Sequence, residues 1–218
     1  ALRPLNRKLF TFGFSEDADV RAVHIVSHGA QTDFDILCRG ELFTSVSLHV
    51  PGMHNVSNAL AAAASAIVLG VSPAAVRYGL AGFTAANRRF EYKGKYNGAD
   101  IYDDYAHHPT EVRAVLTAAR SVVAAGSGRV IAVFQPHLYS RTAEFAVEFA
   151  EALSLADEVI VADVYGAREQ PQPGVTGRLI SDVVTVPVAF VPDVSQIGDA
   201  VAQRARRGDL VLTMGAGT

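Results

Sequence analysis

Hydrophobic positions along the chain follow two regimes. In the first, strand-like stretches at 8–14, 19–28, 31–40 and 41–50 are separated by Gly29-Ala30 and Arg39-Gly40. Phe34, Ile36 and Cys38, then Leu42, Val46, Leu48 and Val50, alternate with polar residues. That period of two predicts an antiparallel meander with one buried face. Pro51-Gly52 ends it, and HNVSNALAAAASAIVLG (54–70) predicts a helix stopped by Gly70. Ser72 followed by Pro73 predicts an N-cap and a proline at the first helical position of a second, shorter helix reaching about Leu80.

From residue 88 the pattern changes. RRFEYKGKYNGADIYDDYA predicts two strands joined at Asn97-Gly98, a pair that favours the positive φ angles of a tight hairpin. Helical stretches at 108–123, 141–156, 176–184 and 194–206 then alternate with strands at 129–134, 157–165, 186–191 and 209–215. These strands are continuous runs of β-branched residues. They suit a parallel sheet covered on both faces, so the second part reads as a doubly wound α/β domain. The boundary is expected near 84–88, dividing 1–87 from 88–218.

Composition narrows the picture. Half of the 218 residues are hydrophobic, 19% are charged and the net charge is −3. A sizeable core is affordable, and no basic surface points to nucleic acid. The Ala-rich run at 59–70 is too short to span a bilayer, and residues 1–12 do not form a secretory signal, so neither membrane nor export is expected. Cys38 is the sole cysteine, which excludes an intrachain disulfide and a cysteine-based zinc site and suits a reducing, cytoplasmic setting. Its alternation with Phe34 and Ile36 predicts a small buried hydrophobe.

In an open α/β sheet, ligands bind beyond the carboxyl ends of the strands. DDYAHHP (103–109), QPHLYSRT (135–142), VYGAREQPQPG (164–174) and MGAGT (214–218) all fall there. In the first cluster Pro109, Thr110 and Glu111 start a helix, while Asp103 and Asp104 suit a ribose hydroxyl pair or a cation. The adjacent histidines lack the spacing of a helical metal pair. In the second, Arg141 opposes the macrodipole of a helix's first turn, so it is expected either to reach for an anion or to pair with Glu144 or Glu148. Arg88-Arg89 at the boundary is either solvated or aimed at phosphate. Earlier, His54, Asn55 and Asn58 stand at a helix start. Capping and adenine recognition by the amides both fit that spacing, although Asn58 is a poor interior helix residue.

Both chain ends read as cuts. The meander has no βαβ core before it, and MGAG after a strand begins a Gly-rich turn with no helix following. No G-x-x-x-x-G-K-[ST] phosphate loop occurs in the sequence.

G-x-H-N-x-x-N-A-L-A-A (52–62), R-R-F-E (88–91) and D-x-A-H-x-P (104–109), in that order, resemble the Mur ligases of peptidoglycan synthesis. The resemblance runs through essentially the whole chain. It implies the strand-rich back half of a central ATP-binding domain, followed by a C-terminal Rossmann-like domain. The narrower set DDYAHHPTE, FQPHLYSRT, VYGAREQPQPGVTG and GDLVLTMGAG is similar to the branch that couples L-alanine to UDP-N-acetylmuramate through an acyl phosphate. The QPHLYSRT segment separates it from the sister branch that recycles a murein tripeptide.

The resemblance further implies ATP and Mg²⁺ as cofactors, with the Mg²⁺ ligands and phosphate loop outside this chain. The 218 residues alone are therefore expected to be inactive. Asn55 and Asn58 would hold adenine with His54 beside it. Arg89 and Asp104 would reach the nucleotide, Asp104 and His107 would serve catalysis, and His137 and Arg141 would receive the alanine carboxylate. Leu138 departs from the arginine common in the family, so no ligand role is implied there.

Overall fold

The computed structural model describes residues 9–84, 86–123 and 128–217. By its internal contacts the chain separates into two units, Ala1–Thr84 and Ala85–Thr218.

The first unit holds strands β1 (Phe12–Gly13), β2 (Val20–His28), β3 (Gln31–Cys38) and β4 (Glu41–Leu48), in that order across one sheet. β2, β3 and β4 form the antiparallel meander, whereas β1 is a two-residue strand that runs parallel to β2. The strand expected over 8–14 is thus much shorter; Lys8 lies outside the described residues. Phe34, Ile36, Val46, Leu48 and Val50 are buried as the alternation predicts, but Leu42 is 64% exposed and Cys38 only half-buried. The exposure of Leu42 follows from a bulge. Ile36 pairs with Thr44 but Leu37 with Leu42, so β4 carries one extra residue, Phe43. One inserted residue moves every later side chain to the opposite face. Thr44 stays in phase with Val46 and Leu48 and is buried with them, whereas Leu42, on the far side of the bulge, turns to the opposite face.

Helix α1 (Met53–Val68) packs on β1 and β2 through Val56, Ala59, Leu60 and Ala63, and α2 (Pro73–Ala81) packs on β4. Ser72 caps α2, its hydroxyl accepting from the Ala75 amide at 3.3 Å. α1 has no side-chain cap: Gly52 holds that place, and the capping role considered for the asparagines falls away. Asn55 instead donates from Nδ2 to the Pro51 carbonyl at 2.8 Å.

The second unit contains β5 (Glu91–Tyr96), β6 (Ala99–Asp104), α3 (Pro109–Val123), β7 (Val130–Phe134), α4 (Tyr139–Glu144), α5 (Ala146–Leu153), β8 (Glu158–Val161), α6 (Arg178–Ser181), β9 (Val188–Phe190), α7 (Ile197–Ala202) and β10 (Leu210–Met214). Its sheet order is β5-β6-β10-β7-β8-β9, parallel throughout except for β5, which pairs antiparallel with β6. Asn97 and Gly98 join the hairpin with φ of 49° and 80°, both on the left-handed side that a two-residue hairpin turn requires.

Both sheet faces are covered. Val130, Ala132 and Phe134 pack with Leu116 of α3 and Phe149 and Leu153 of α5 on one side. Ile131 and Val133 pack with Ile160, Val211 and Ala200 of α7 on the other. The helix expected over 141–156 is two helices. Phe145 leaves helical geometry at φ −118°, ψ 22°, and its ring rests on His108 with centroids 5.2 Å apart. The helices expected over 176–184 and 194–206 shrink to four-residue α6 and to a 3-10 turn (Val194–Gln196) leading into α7. At the opposite end of the sheet from the polar clusters, Arg129 bridges Asp209 at 2.8 Å and Glu158 at 3.1 Å, and Arg204 joins Glu158 at 2.9 Å.

Candidate functional site

β6, β7, β8 and β10 run parallel, so the segments after Asp104, Phe134, Val161 and Met214 emerge at one edge of the sheet. Register places Asp104 level with Met214, and Met214 level with Phe134. This shared edge collects strand ends 27 to 110 positions apart in sequence.

Arg141 and His137 meet there. Arg141 Nη1 stands 3.4 Å from His137 Nδ1 and donates to the His107 carbonyl at 3.3 Å. The His137 ring lies 5.9 Å from that of His107, edge-on, and stacks on Tyr165 at 5.8 Å. Burial lowers the His137 pKa, and the neighbouring Arg141 and His107 lower it further. The neutral ring accepts at Nδ1 and carries its proton on Nε2. No ion pair joins Arg141 to Glu144 or Glu148 among the described residues. α4 has only six residues, so Arg141 belongs to its last turn as much as to its first. Arg141 therefore does not oppose the helix dipole, and its contacts are with His137 and the His107 carbonyl.

The backbone around this pair is constrained. Leu138, between His137 and α4, has φ 72°, a left-handed value unusual for a leucine. Its amide donates to the Tyr165 carbonyl at 3.0 Å, and the Tyr165 amide donates to the Pro136 carbonyl at 2.8 Å. The segments after β7 and β8 are thereby laced together.

Asp103 and Asp104 have different surroundings. Asp103 pairs with Arg88 Nε at 2.8 Å and accepts from the Thr213 hydroxyl at 2.8 Å. Asp104 is buried. Its Oδ2 accepts from the Phe90 amide at 2.8 Å and its Oδ1 from the Ala106 amide at 2.7 Å. Burial pushes its carboxyl above the usual carboxylate range, against the two amides and nearby Arg89, which pull it down. One carboxylate thus fixes the residue after Arg89 and the residue before His107. His107 Nδ1 faces the Tyr105 carbonyl at 2.9 Å, and its amide donates to Glu111 at 2.9 Å.

Of the arginine pair, Arg89 is exposed, whereas Arg88 is half-buried and engaged. Arg88 donates to the carbonyls of Gly215 at 2.6 Å and Gly217 at 2.7 Å, and lies over the Tyr105 ring at 5.1 Å. Arg88 and Phe90 both have positive φ, 57° and 48°. The sequence offered no sign that Arg88 rather than its neighbour would be consumed by structure.

In the first unit, Asn58 is exposed on α1, while His54 and Asn55 are half-buried at the helix start. A groove between β3, β4 and α2 is lined by Asp33, Asp35, Ser45, Arg77 and Tyr78, and none of the residues expected to bind substrate lines it. Among the described residues, no group of three or more His, Cys, Asp and Glu is placed to hold a metal ion, and no helix is long and apolar enough to cross a membrane.

Residues 88–217 match the family described as "Mur ligase, glutamate ligase domain", and residues 2–66 match "Mur ligase middle domain". The chain is 58% identical over 173 residues to the UDP-N-acetylmuramate–L-alanine ligase of Mycolicibacterium smegmatis, covering 79% of this chain and 36% of that protein. It is 53% identical over 210 residues to the corresponding ligase of Kineococcus radiotolerans, covering 95% and 44%. The crystal structure of UDP-N-acetylmuramate–alanine ligase from Thermotoga maritima superposes with a TM-score of 0.80 at 29% identity, covering 96% of this chain and 45% of that one. The chain thus spans less than half the length of these relatives.

Proposed function

The chain belongs to the Mur ligase family, and on that premise we propose that a ligase carrying it joins L-alanine to UDP-N-acetylmuramate. ATP would phosphorylate the muramic carboxylate, the amine of alanine would attack the acyl phosphate, and phosphate would leave the tetrahedral intermediate. Little of this needs covalent help from the protein; positioning and charge neutralisation carry it. Peptidoglycan synthesis in the cytoplasm is the setting.

The observation that carries the reading is the convergence of Arg141 with His137 and His107 at the sheet edge. A carboxylate needs a cationic fork, and Arg141 supplies one. His137, neutral and protonated on Nε2, adds a donor without a second full charge. His107, fixed through its amide and the Asp104 latch, would stand beside the reacting groups. Arg89, exposed next to that latch, is assigned to nucleotide phosphate. Asp104 serves the nucleotide and the chemistry by holding Arg89 and His107 in place, since its two oxygens accept from the amides of Phe90 and Ala106 that flank them.

Asn55 and Asn58 are assigned to adenine, with His54 beside the ring. The Asn55 Nδ2 donates to the Pro51 carbonyl, which leaves its Oδ1 to accept from the adenine amino group. Mg²⁺ would supply charge neutralisation at the phosphates, with ligands outside the described residues.

Assay of a ligase carrying this chain, with alanine and with the murein tripeptide as alternative acceptors, tests the assignment. Arg141→Ala removes one partner of a desolvated charge contact worth ~2–5 kcal/mol, so alanine use should fall about 30-fold to several thousandfold. The Michaelis constants for ATP and the UDP-sugar should stay near their original values. Preference for the tripeptide, or unchanged alanine kinetics in the variant, would overturn the proposal.

A further inference from the structure

We propose that Glu169 is a positioning residue for the Arg141–His137 pocket, pinning the first turn of α4 so that an incoming carboxylate meets the guanidinium already in place. The inference rests on the alanine-ligase reading for the identity of that carboxylate; the geometry itself does not depend on it.

α4 lacks its own cap. Leu138 occupies the N-cap position, has no side chain able to accept, and holds a left-handed φ of 72°. The amide of Ser140 is satisfied instead from across the sheet edge, donating to Glu169 Oε2 at 2.9 Å. The Ser140 hydroxyl donates to Glu169 Oε1. These contacts from Ser140, reinforced by the Tyr139 amide, hold the Glu169 carboxyl below its usual range, so it is a carboxylate at neutral pH. Arg141 is the very next residue after Ser140.

Glu169 is itself held. Its amide donates to the Gly166 carbonyl at 2.9 Å, with Ala167 in a left-handed turn at φ 49°. Gly166 lies so close to the Tyr139 ring that an added Cβ would come within 2.5 Å of Cε2. The same segment presents Tyr165, on which His137 stacks. One loop therefore sets both halves of the pocket: Tyr165 orients the imidazole, and Glu169 orients the helix turn that carries the guanidinium.

The arrangement also has a chemical consequence. Unsatisfied amides at a helix start attract anions. With Glu169 on the Ser140 amide and hydroxyl, those donors are not open to a substrate carboxylate, and the Arg141 guanidinium is carried on the turn they hold.

The test is steady-state kinetics on a ligase carrying this chain, comparing Glu169→Ala, Glu169→Asp and Ser140→Ala. Glu169→Ala should raise the alanine KM roughly ten- to a hundredfold, the scale of a slightly misplaced binding group, while the ATP KM stays within about twofold. Glu169→Asp should recover part of the loss. Ser140→Ala, which removes only the hydroxyl donor, should move the alanine KM the same way by less. It also keeps the test decisive if Glu169→Ala does not fold. An unchanged alanine KM in the folded variants, or equal losses towards all three substrates, overturns the inference. If the unmodified ligase does not use alanine at all, the functional reading fails instead, and the same comparison on the amino acid it does use still decides the role of Glu169.

Discussion

The guanidinium of Arg88 and the carboxylate of Asp103 meet at 2.8 Å at the carboxyl end of β6, and the same guanidinium holds the carbonyls of Gly215 and Gly217 beyond β10. A planar fork can serve three acceptors at once; an ammonium group cannot reproduce that geometry. Arg88→Lys should therefore destabilise the second unit by about 1.5–3 kcal/mol, the range for hydrogen bonds to a charged group. Denaturant unfolding of the chain measures it. A change below about 0.5 kcal/mol, the level of an ordinary surface substitution, would mean the fork is dispensable.

Asp104→Asn should cost stability as well as activity. Asparagine has one acceptor oxygen, so either the Phe90 or the Ala106 amide would face an NH₂ group instead of an oxygen. Leaving a buried amide unmatched costs about 1–3 kcal/mol. A variant that melts like the parent while losing turnover would show that the carboxylate acts directly on substrate rather than as a latch.

The imidazole of His137 should titrate below the ordinary histidine range, because burial, Arg141 and His107 all disfavour its cation. The unfolded chain then binds more protons than the folded one between the native pKa and the unperturbed value. The stability this contributes is fully present above the unperturbed value and is lost as pH falls through the native pKa. NMR titration of the ring checks the direction. Arg141→Gln should move the midpoint upward only in part, since burial is the larger cause; full return to the unperturbed value would assign the effect to the arginine.

Gly177→Ala should be poorly tolerated. A Cβ there would lie 2.2 Å from the Ala162 carbonyl oxygen and 2.9 Å from the Phe190 ring, and the backbone on one side cannot rotate away. The Gly177 amide also donates to Asp163 at 3.0 Å, which ties α6 to the end of β8. Overpacking of this kind costs about 1–3 kcal/mol. A melting temperature equal to the parent's would show that the segment shifts without penalty.

Asn58→Ala should leave the melting temperature unchanged, because the side chain is exposed and caps nothing. If Asn58 pairs with adenine, the ATP KM of a ligase carrying the chain should rise about tenfold, near the ~1–3 kcal/mol of a bidentate amide–adenine contact. An unchanged ATP KM would remove Asn58 from the nucleotide site.

Periodicity along the chain was enough for the element types. The β-branched runs at 130–134, 158–161 and 210–214 marked a sheet buried on both faces, and Asn97-Gly98 marked its hairpin, because these are local consequences of side-chain shape and of permitted φ. Ser72-Pro73 marked the start of α2 for the same reason.

Element lengths and side-chain fates were decided in three dimensions. The bulge at Phe43 exposes Leu42, and nothing in the alternation of 41–50 betrays an extra residue, since a bulge is a property of two strands in register. Phe145 splits one expected helix, and its ring rests on His108, a partner 37 positions away that only the fold brings near. The polar clusters at the strand ends were legible as a group, from the rule that parallel strands deliver their carboxyl ends to one edge. Which member of each cluster faces outward was not. Arg88 and Arg89 are the same residue type side by side, yet one closes on Asp103 and two carbonyls while the other stays exposed. Glu169 gave no local signal, because its role depends on an uncapped helix 29 residues earlier that only the sheet brings within hydrogen-bonding distance.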